Sequence, residues 1–168
     1  MFIPFMGALI ALKNAPKDAW MEAWVGIGGP LLGAVGALVC EGLFVVSGNP
    51  LFRGLAYTGF FLNLFNLAPI GMLDGGRIVT VLSPWLWLVG AAVMLALLVL
   101  HPNFLIGIIL LVSLPRLWSL FRRKSDQERR YFEVTPGHRL AMAGMYFGLI
   151  ALLLLGMALT HIVPASEL

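Results

Sequence analysis

The sequence predicts an all-α membrane protein: a polytopic transmembrane helical bundle with a broken helix at its LDGG motif. Hydrophobic residues make up 60% of the 168 residues, against about 45–50% in soluble domains. Charged residues make up 11%, against roughly 25%, and the mean hydropathy is +0.94. A soluble domain of this size leaves about a third of its surface exposed, and this chain has too few polar residues to cover it. The composition therefore excludes soluble enzymes and disordered proteins, and the single cysteine, Cys40, excludes a disulfide scaffold.

The chain begins with an apolar segment and a polar segment, residues 1–24. Residues 1–12 (MFIPFMGALIAL) are too few to span a bilayer, which needs about 20 apolar residues, and Pro4 interrupts them. They lack the basic start of a signal peptide, so we expect them to continue a preceding element or to form an interfacial strand. Residues 13–24 (KNAPKDAWMEAW) carry two tryptophans, which is typical of a membrane–water interface.

The predicted core of the bundle is 25–83. Val25–Ser47 is long enough to span and contains one charge, Glu41, which we expect near the outer interface, where its side chain reaches water. Gly54–Ile70 carries two asparagines and no charge. Pro69 should end that helix, because proline disfavours helical conformation at its own position and at the residue before it. A new helix is expected to begin near Gly76.

The second half predicts a helical hairpin, 84–121, a basic loop, 122–139, and a last transmembrane helix with its tail, 140–168. The sequence His-Pro-Asn at 101–103 reads as the turn of the hairpin. The 12 apolar residues that follow it are too few to span alone. The hairpin therefore either crosses the membrane twice or re-enters it part-way.

The basic residues set the predicted orientation. Seven of the eleven Lys and Arg residues lie in or beside the loop 122–139, so the positive-inside rule places this loop in the cytoplasm, with the chain in the inner (plasma) membrane. Counting the helices back from the loop leaves Arg53 as the one basic residue outside. We expect the basic loop to contact anionic lipids and not nucleic acid.

Two patterns in the core are candidates for chemistry. Asn63 and Asn66 are three residues apart and share a helix face, and Asp74 follows the predicted break. An ionisable residue beside irregular backbone at membrane depth indicates a functional site, although Asp before two glycines is also ordinary turn or N-cap chemistry. Gly29 and Gly33 repeat at four-residue spacing, which allows a partner helix or an extended peptide to approach the backbone closely.

The stretch FNLAPIGMLDGGR, 65–77, resembles the FNLLPIPPLDGGR motif of the site-2 protease family of intramembrane zinc metalloproteases, and GGPLLG, 28–33, resembles that family's central glycine-rich element. The resemblance implies an enzyme that uses zinc to cleave peptide bonds in membrane-embedded protein or peptide substrates. It further implies that Asp74 is a zinc ligand and Asn66 assists at the reaction centre. Gly29 and Gly33 would then lie beside the substrate.

The chain departs from the family in lacking an HExxH motif, which in the family supplies two zinc ligands and the general base. Its three histidines, His101, His138 and His161, have no metal-ligand spacing and cannot replace the motif. With one ligand at most, the sequence as given should be inactive and should hold zinc weakly or not at all. We expect a segment upstream of Met1 to supply the motif. The alternatives are a non-catalytic membrane scaffold of the same fold and part of a transporter, since broken helices near an acid also bind ions.

Overall fold

The computed structural model describes residues 2–3, 7–8, 18–122 and 126–161. These residues form an all-helical fold, apart from one antiparallel pairing of two-residue strands at the start, β1 (Phe2–Ile3) and β2 (Gly7–Ala8). In the described ranges the helices are, in chain order, α1 (Ala19–Ser47), α2 (Pro50–Asn66), α3 (Asp74–Leu82), α4 (Leu86–Leu100), α5 (Phe104–Trp118), α6 (Asp126–Tyr131) and α7 (Pro136–Thr160).

Helix α1 is longer than the sequence predicts, because it begins at Ala19 and not at Val25. Asp18 is its N-cap, and the Asp18 carboxylate accepts a hydrogen bond from the backbone N–H of Met21 at 2.8 Å. This cap satisfies one of the free N–H groups of the first turn, so the polar residues before the apolar stretch are helical. At its other end α1 closes on Gly48, whose φ of 68° suits a residue without a side chain.

Helix α2 begins at Pro50, four residues before the predicted start. The Asn49 side chain accepts from the N–H of Leu51 at 3.0 Å, and proline at the first helical position suits the helix geometry. The helix ends at Asn66, and α3 begins at Asp74. We call residues 67–73, which form turns between the two helices, the connecting loop.

Helices α1, α2, α3 and α7 pack together as the main body of the fold. Helix α2 runs antiparallel to α1, because Asn63 lies against Gly33 whereas Gly59, a turn earlier in α2, lies against Ala37. Helix α3 is also antiparallel to α1, since Asp74 lies against Gly29 and the following turn of α3 lies against the preceding turn of α1. Helices α2 and α3 thus run in the same direction along α1, on either side of the connecting loop.

Helices α4 and α5 pack against each other as a helical hairpin, with its turn at 101–103. The apolar stretch Ile78–Leu100 is divided at Ser83 and Pro84 into α3 and α4. Helix α4 folds back along the connecting loop, where Gly90 lies so close that an added Cβ would be 2.1 Å from the carbonyl oxygen of Pro69.

Two of the described helices, α1 with 29 residues and α7 with 25, are long and apolar enough to cross a membrane. Helices α4 and α5 are apolar but shorter, with 15 residues each. Large apolar side chains are exposed on α1, for example Leu32 at 74% and Val46 at 88%. Exposed apolar helix faces of this kind are suited to contact with lipid.

Candidate functional site

The last residue of α2 and the first residue of α3 meet across the connecting loop. The Asn66 amide Nδ2 donates a hydrogen bond to Oδ2 of Asp74 at 2.6 Å, and both side chains are half-buried. Asp74 is not the N-cap of α3, because Leu73 holds that position without a capping side chain. The carboxylate instead lies in the first helical turn, where the helix dipole favours negative charge, and Arg77 is its cationic neighbour.

The connecting loop is compact because the two glycines after Asp74 have no side chains. A Cβ on Gly75 would lie 2.0 Å from the carbonyl oxygen of Leu67, and a Cβ on Gly76 would lie 2.0 Å from that of Ile70. Both distances are far inside van der Waals contact, and the obstructing atoms are backbone. The Gly-Gly pair of the LDGG motif therefore brings the start of α3 directly against the end of α2.

The two glycines predicted beside the substrate lie at different points of this arrangement. Gly29 lies beside the carboxylate, since its added Cβ would be 3.2 Å from Oδ2 of Asp74. Gly33 lies one turn further along α1, where its added Cβ would be 2.2 Å from the side-chain oxygen of Asn63. The structure thus brings Gly29, Asn66 and Asp74 together, and Gly29 is exposed on the outer side of the cluster.

Two aromatic side chains that the sequence does not point to bind the start of the connecting loop and the first turn of α3. The Tyr146 hydroxyl of α7 donates to the carbonyl of Leu67 at 2.8 Å, and the Trp87 indole N–H of α4 donates to the carbonyl of Gly76 at 2.8 Å. The first bond pairs the carbonyl of Leu67, the C-cap residue of α2, and the second adds a donor to the carbonyl of Gly76, which also accepts from the Thr80 hydroxyl at 2.8 Å. The contacts join residues 11 and 79 positions apart, so no local pattern indicates them.

A polar cluster on α1, α5 and α6 lies against the middle of the loop. Arg116 donates from Nη2 to Glu22 at 2.8 Å and from Nη1 to the carbonyl of Gly71 at 2.9 Å. The Tyr131 hydroxyl donates to the second oxygen of Glu22. Burial, and then this bond to a carboxylate, raise the pKa of Tyr131 above its ordinary value, so the hydroxyl keeps its proton and remains a donor.

From the sequence alone, Arg116 belongs to the basic flank of the loop 122–139. A stronger signal was present, because Arg116 follows a long apolar run on α5, and a charge in such a helix needs a partner. The sequence does not identify that partner, because Glu22 is 94 residues away along the chain.

The site contains one residue that could ligate zinc. Asp74 offers a carboxylate, but a catalytic zinc needs three protein ligands and an open position. Among the described residues, no three His, Cys, Asp or Glu side chains lie close enough together to hold a metal ion. The described residues therefore do not form a zinc site by themselves. The expectation for residues 1–12 lies outside the described residues, except for the paired strands β1 and β2.

The chain was also compared with known proteins. No protein-family model, no curated protein and no solved structure matches it.

Proposed function

We propose that this chain is a multi-pass inner-membrane protein of the site-2 protease type, and that it forms part of an intramembrane zinc metalloprotease acting on membrane-embedded protein or peptide substrates. The observation that carries the proposal is the cluster of Asp74, Asn66 and Gly29. A carboxylate is held by an amide at an interruption between two helices, beside an exposed glycine on the longest apolar helix. These residue types are the ones that the family motif contains.

Asp74 would be one of three zinc ligands, and the other two would come from outside this sequence. Zinc, when bound, would supply the activated water that attacks the peptide bond. The role of Asn66 is to fix the rotation of the Asp74 carboxylate by its hydrogen bond, as outer-shell partners do for metal ligands. A carboxylate has about four lone-pair positions, so this bond leaves room for a metal.

Gly29 would form the wall on which an extended substrate lies. It is exposed on α1, and its lack of a side chain leaves the carboxylate accessible from that side. Small residues on membrane helices permit such close approach of another backbone. In this proposal Gly33 has a second role, because it makes room for the Asn63 amide between α1 and α2.

The membrane arrangement follows from the helix directions and the basic residues. With the loop 122–139 in the cytoplasm, α1 and α7 cross outward, whereas α2, the connecting loop and α3 together cross inward. Asp74 then lies within the membrane, beside the part of α1 about 15 Å from the start of that helix. Helices α4 and α5 have 15 residues each, or about 22 Å, against a hydrocarbon thickness of about 30 Å. The hairpin is therefore proposed to re-enter the membrane and not to cross it.

The test begins with the DNA upstream of the Met1 codon, read for an in-frame HExxH motif. If the motif is present, the protein that includes it is expressed and assayed for cleavage of a membrane-anchored reporter. Asp74→Asn should abolish cleavage and reduce bound zinc measured by mass spectrometry. Asp126→Asn, at an exposed position of α6, is the matched control and should cleave normally. Undiminished cleavage by Asp74→Asn would refute the metal role.

A non-catalytic scaffold of the same fold is the second candidate. It is favoured by the observation that Asp74 already has structural partners, a hydrogen bond from Asn66 and the positive end of α3. A scaffold would need the carboxylate only to join α2 to α3. An upstream sequence without HExxH, together with a longer protein that binds no zinc, would favour the scaffold.

A further inference from the structure

Arg116 makes a hydrogen bond to the connecting loop in addition to its ion pair with Glu22. The guanidinium is held on three sides: by Glu22 at 2.8 Å, by the carbonyl of Gly71 at 2.9 Å, and by the Trp87 ring, whose centroid lies 4.9 Å away. The contact with Glu22 already balances the charge. The second donor goes to a backbone carbonyl three residues before Asp74.

The backbone hydrogen bonds of the loop are short-range turn bonds, for example from the N–H of Ile70 to the carbonyl of Ala68 at 2.8 Å. The N–H of Leu73 donates to the carbonyl of Ile70 at 3.0 Å, and the N–H of Gly76 donates to that of Leu73 at 3.0 Å. Three side chains from other helices bind this region at successive points: Tyr146 and Arg116 bind the loop at Leu67 and Gly71, and Trp87 binds the first turn of α3 at Gly76. Of these three, Arg116 is the charged donor, and hydrogen bonds from charged groups are the stronger ones.

The loop is also shaped to accept this side chain. Gly71 is buried, and a Cβ there would lie 2.8 Å from Cδ, 3.2 Å from Cγ and 3.1 Å from Cβ of Arg116. The stem of the arginine therefore packs along the backbone of the loop while its planar head binds two acceptors at once. A lysine has a single point charge and cannot present two donors in this fixed geometry.

We propose that Arg116 is a positioning residue for Asp74, which it acts on by fixing the connecting loop through Gly71. This inference rests on the proposed function in treating Asp74 as the working carboxylate. Glu22 and Tyr131 orient the guanidinium from the other side, so the polar cluster links α6 to the loop that carries the carboxylate.

The test compares two variants of the chain in detergent or lipid nanodiscs by hydrogen–deuterium exchange. Glu22→Gln removes the ion pair but leaves an acceptor for Arg116 and leaves the bond to Gly71. The double variant Glu22→Gln with Arg116→Met removes that bond too, without leaving an unpaired charge in the interior. The double variant should exchange the amides of Leu73 and Gly76 at least about tenfold faster, whereas Glu22→Gln should exchange them nearly as the unaltered chain does.

Amide exchange in the middle of α1 should stay the same in both variants. This control separates a local effect on the connecting loop from a general destabilisation of the fold. Equal acceleration in the two variants would mean that the ion pair alone matters, and unchanged exchange in the double variant would mean that Arg116 does not hold the loop. Either result overturns the inference. Neither bears on zinc or cleavage, so the outcome is distinct from that of the Asp74→Asn assay.

Discussion

Glycine is the residue on which the arrangement around Asp74 depends. Gly29 lies against the Asp74 carboxylate, Gly33 against the Asn63 amide, and Gly75 against the backbone of the connecting loop. In the first two places the neighbour is the end of a side chain, which can rotate away. At Gly75 the neighbour is the carbonyl of Leu67 at 2.0 Å from an added Cβ, and backbone cannot move so cheaply.

Gly75→Ala should therefore destabilise the fold, and Gly28→Ala should not. Overpacking of a well-packed site costs about 1–3 kcal/mol, and at Gly75 this outweighs the gain in helix propensity of about 1 kcal/mol. Nothing lies within 4 Å of a Cβ on Gly28. Gly28→Ala should therefore increase helix propensity without any overpacking. Thermal unfolding in detergent measures both variants. Equal midpoints would show that the loop is not packed as described.

At the scale of the helices, the ends of α1, α2 and α7 that lie away from the basic loop meet at Arg53. Its Nη2 donates to the carbonyl of Leu159 at 2.6 Å, its Nε lies 3.8 Å from Glu41, and its guanidinium lies 4.7 Å from the centre of the Phe44 ring. Glu41 was expected to reach water near the outer interface. It pairs with Arg53, so the charge serves to join two helices.

Arg53→Gln should lower the unfolding free energy by about 1–2 kcal/mol, because a hydrogen bond from a charged donor is lost and the Glu41 carboxylate loses its partner. The loss is no larger because the side chains of Arg53 and Glu41 are 33% and 24% exposed, and water weakens an ion pair at that exposure. Arg139→Gln, which removes a charge at an exposed position, is the control and should change stability little. If the two variants unfold alike, Arg53 does not join these helices.

The helices themselves could largely be predicted from the sequence, because runs of apolar residues fix their interiors. Their ends depended on single hydrogen bonds: Asp18 extends α1 past its apolar stretch, and Asn49 starts α2 early. The proximity of Asn66 and Asp74 follows from a short loop and was predictable. The contacts of Arg116 and Tyr146 were not, because they join residues 45 and 79 positions apart, and only tertiary packing decides which distant groups meet.

For the whole molecule, the testable consequence is the depth of the α4–α5 hairpin. In the proposed arrangement Ser47 lies outside, Asp126 lies in the cytoplasm, and His101 lies within the membrane at the hairpin tip. The tip does not reach the outer surface, because the 15 residues of α4 extend about 22 Å, whereas the hydrocarbon core is about 30 Å thick.

Single cysteines at these three exposed positions, introduced after Cys40→Ala, can be labelled in intact cells with a membrane-impermeant maleimide. Ser47→Cys should react from outside, and Asp126→Cys only after the membrane is permeabilised. His101→Cys should react slowly under both conditions, because the thiolate that attacks the reagent is disfavoured at membrane depth. Reaction of His101→Cys from outside as fast as Ser47→Cys would mean that the hairpin crosses the membrane. The antiparallel direction of α2 and α3 relative to α1 would be unaffected, because it follows from their contacts with α1 and not from the hairpin.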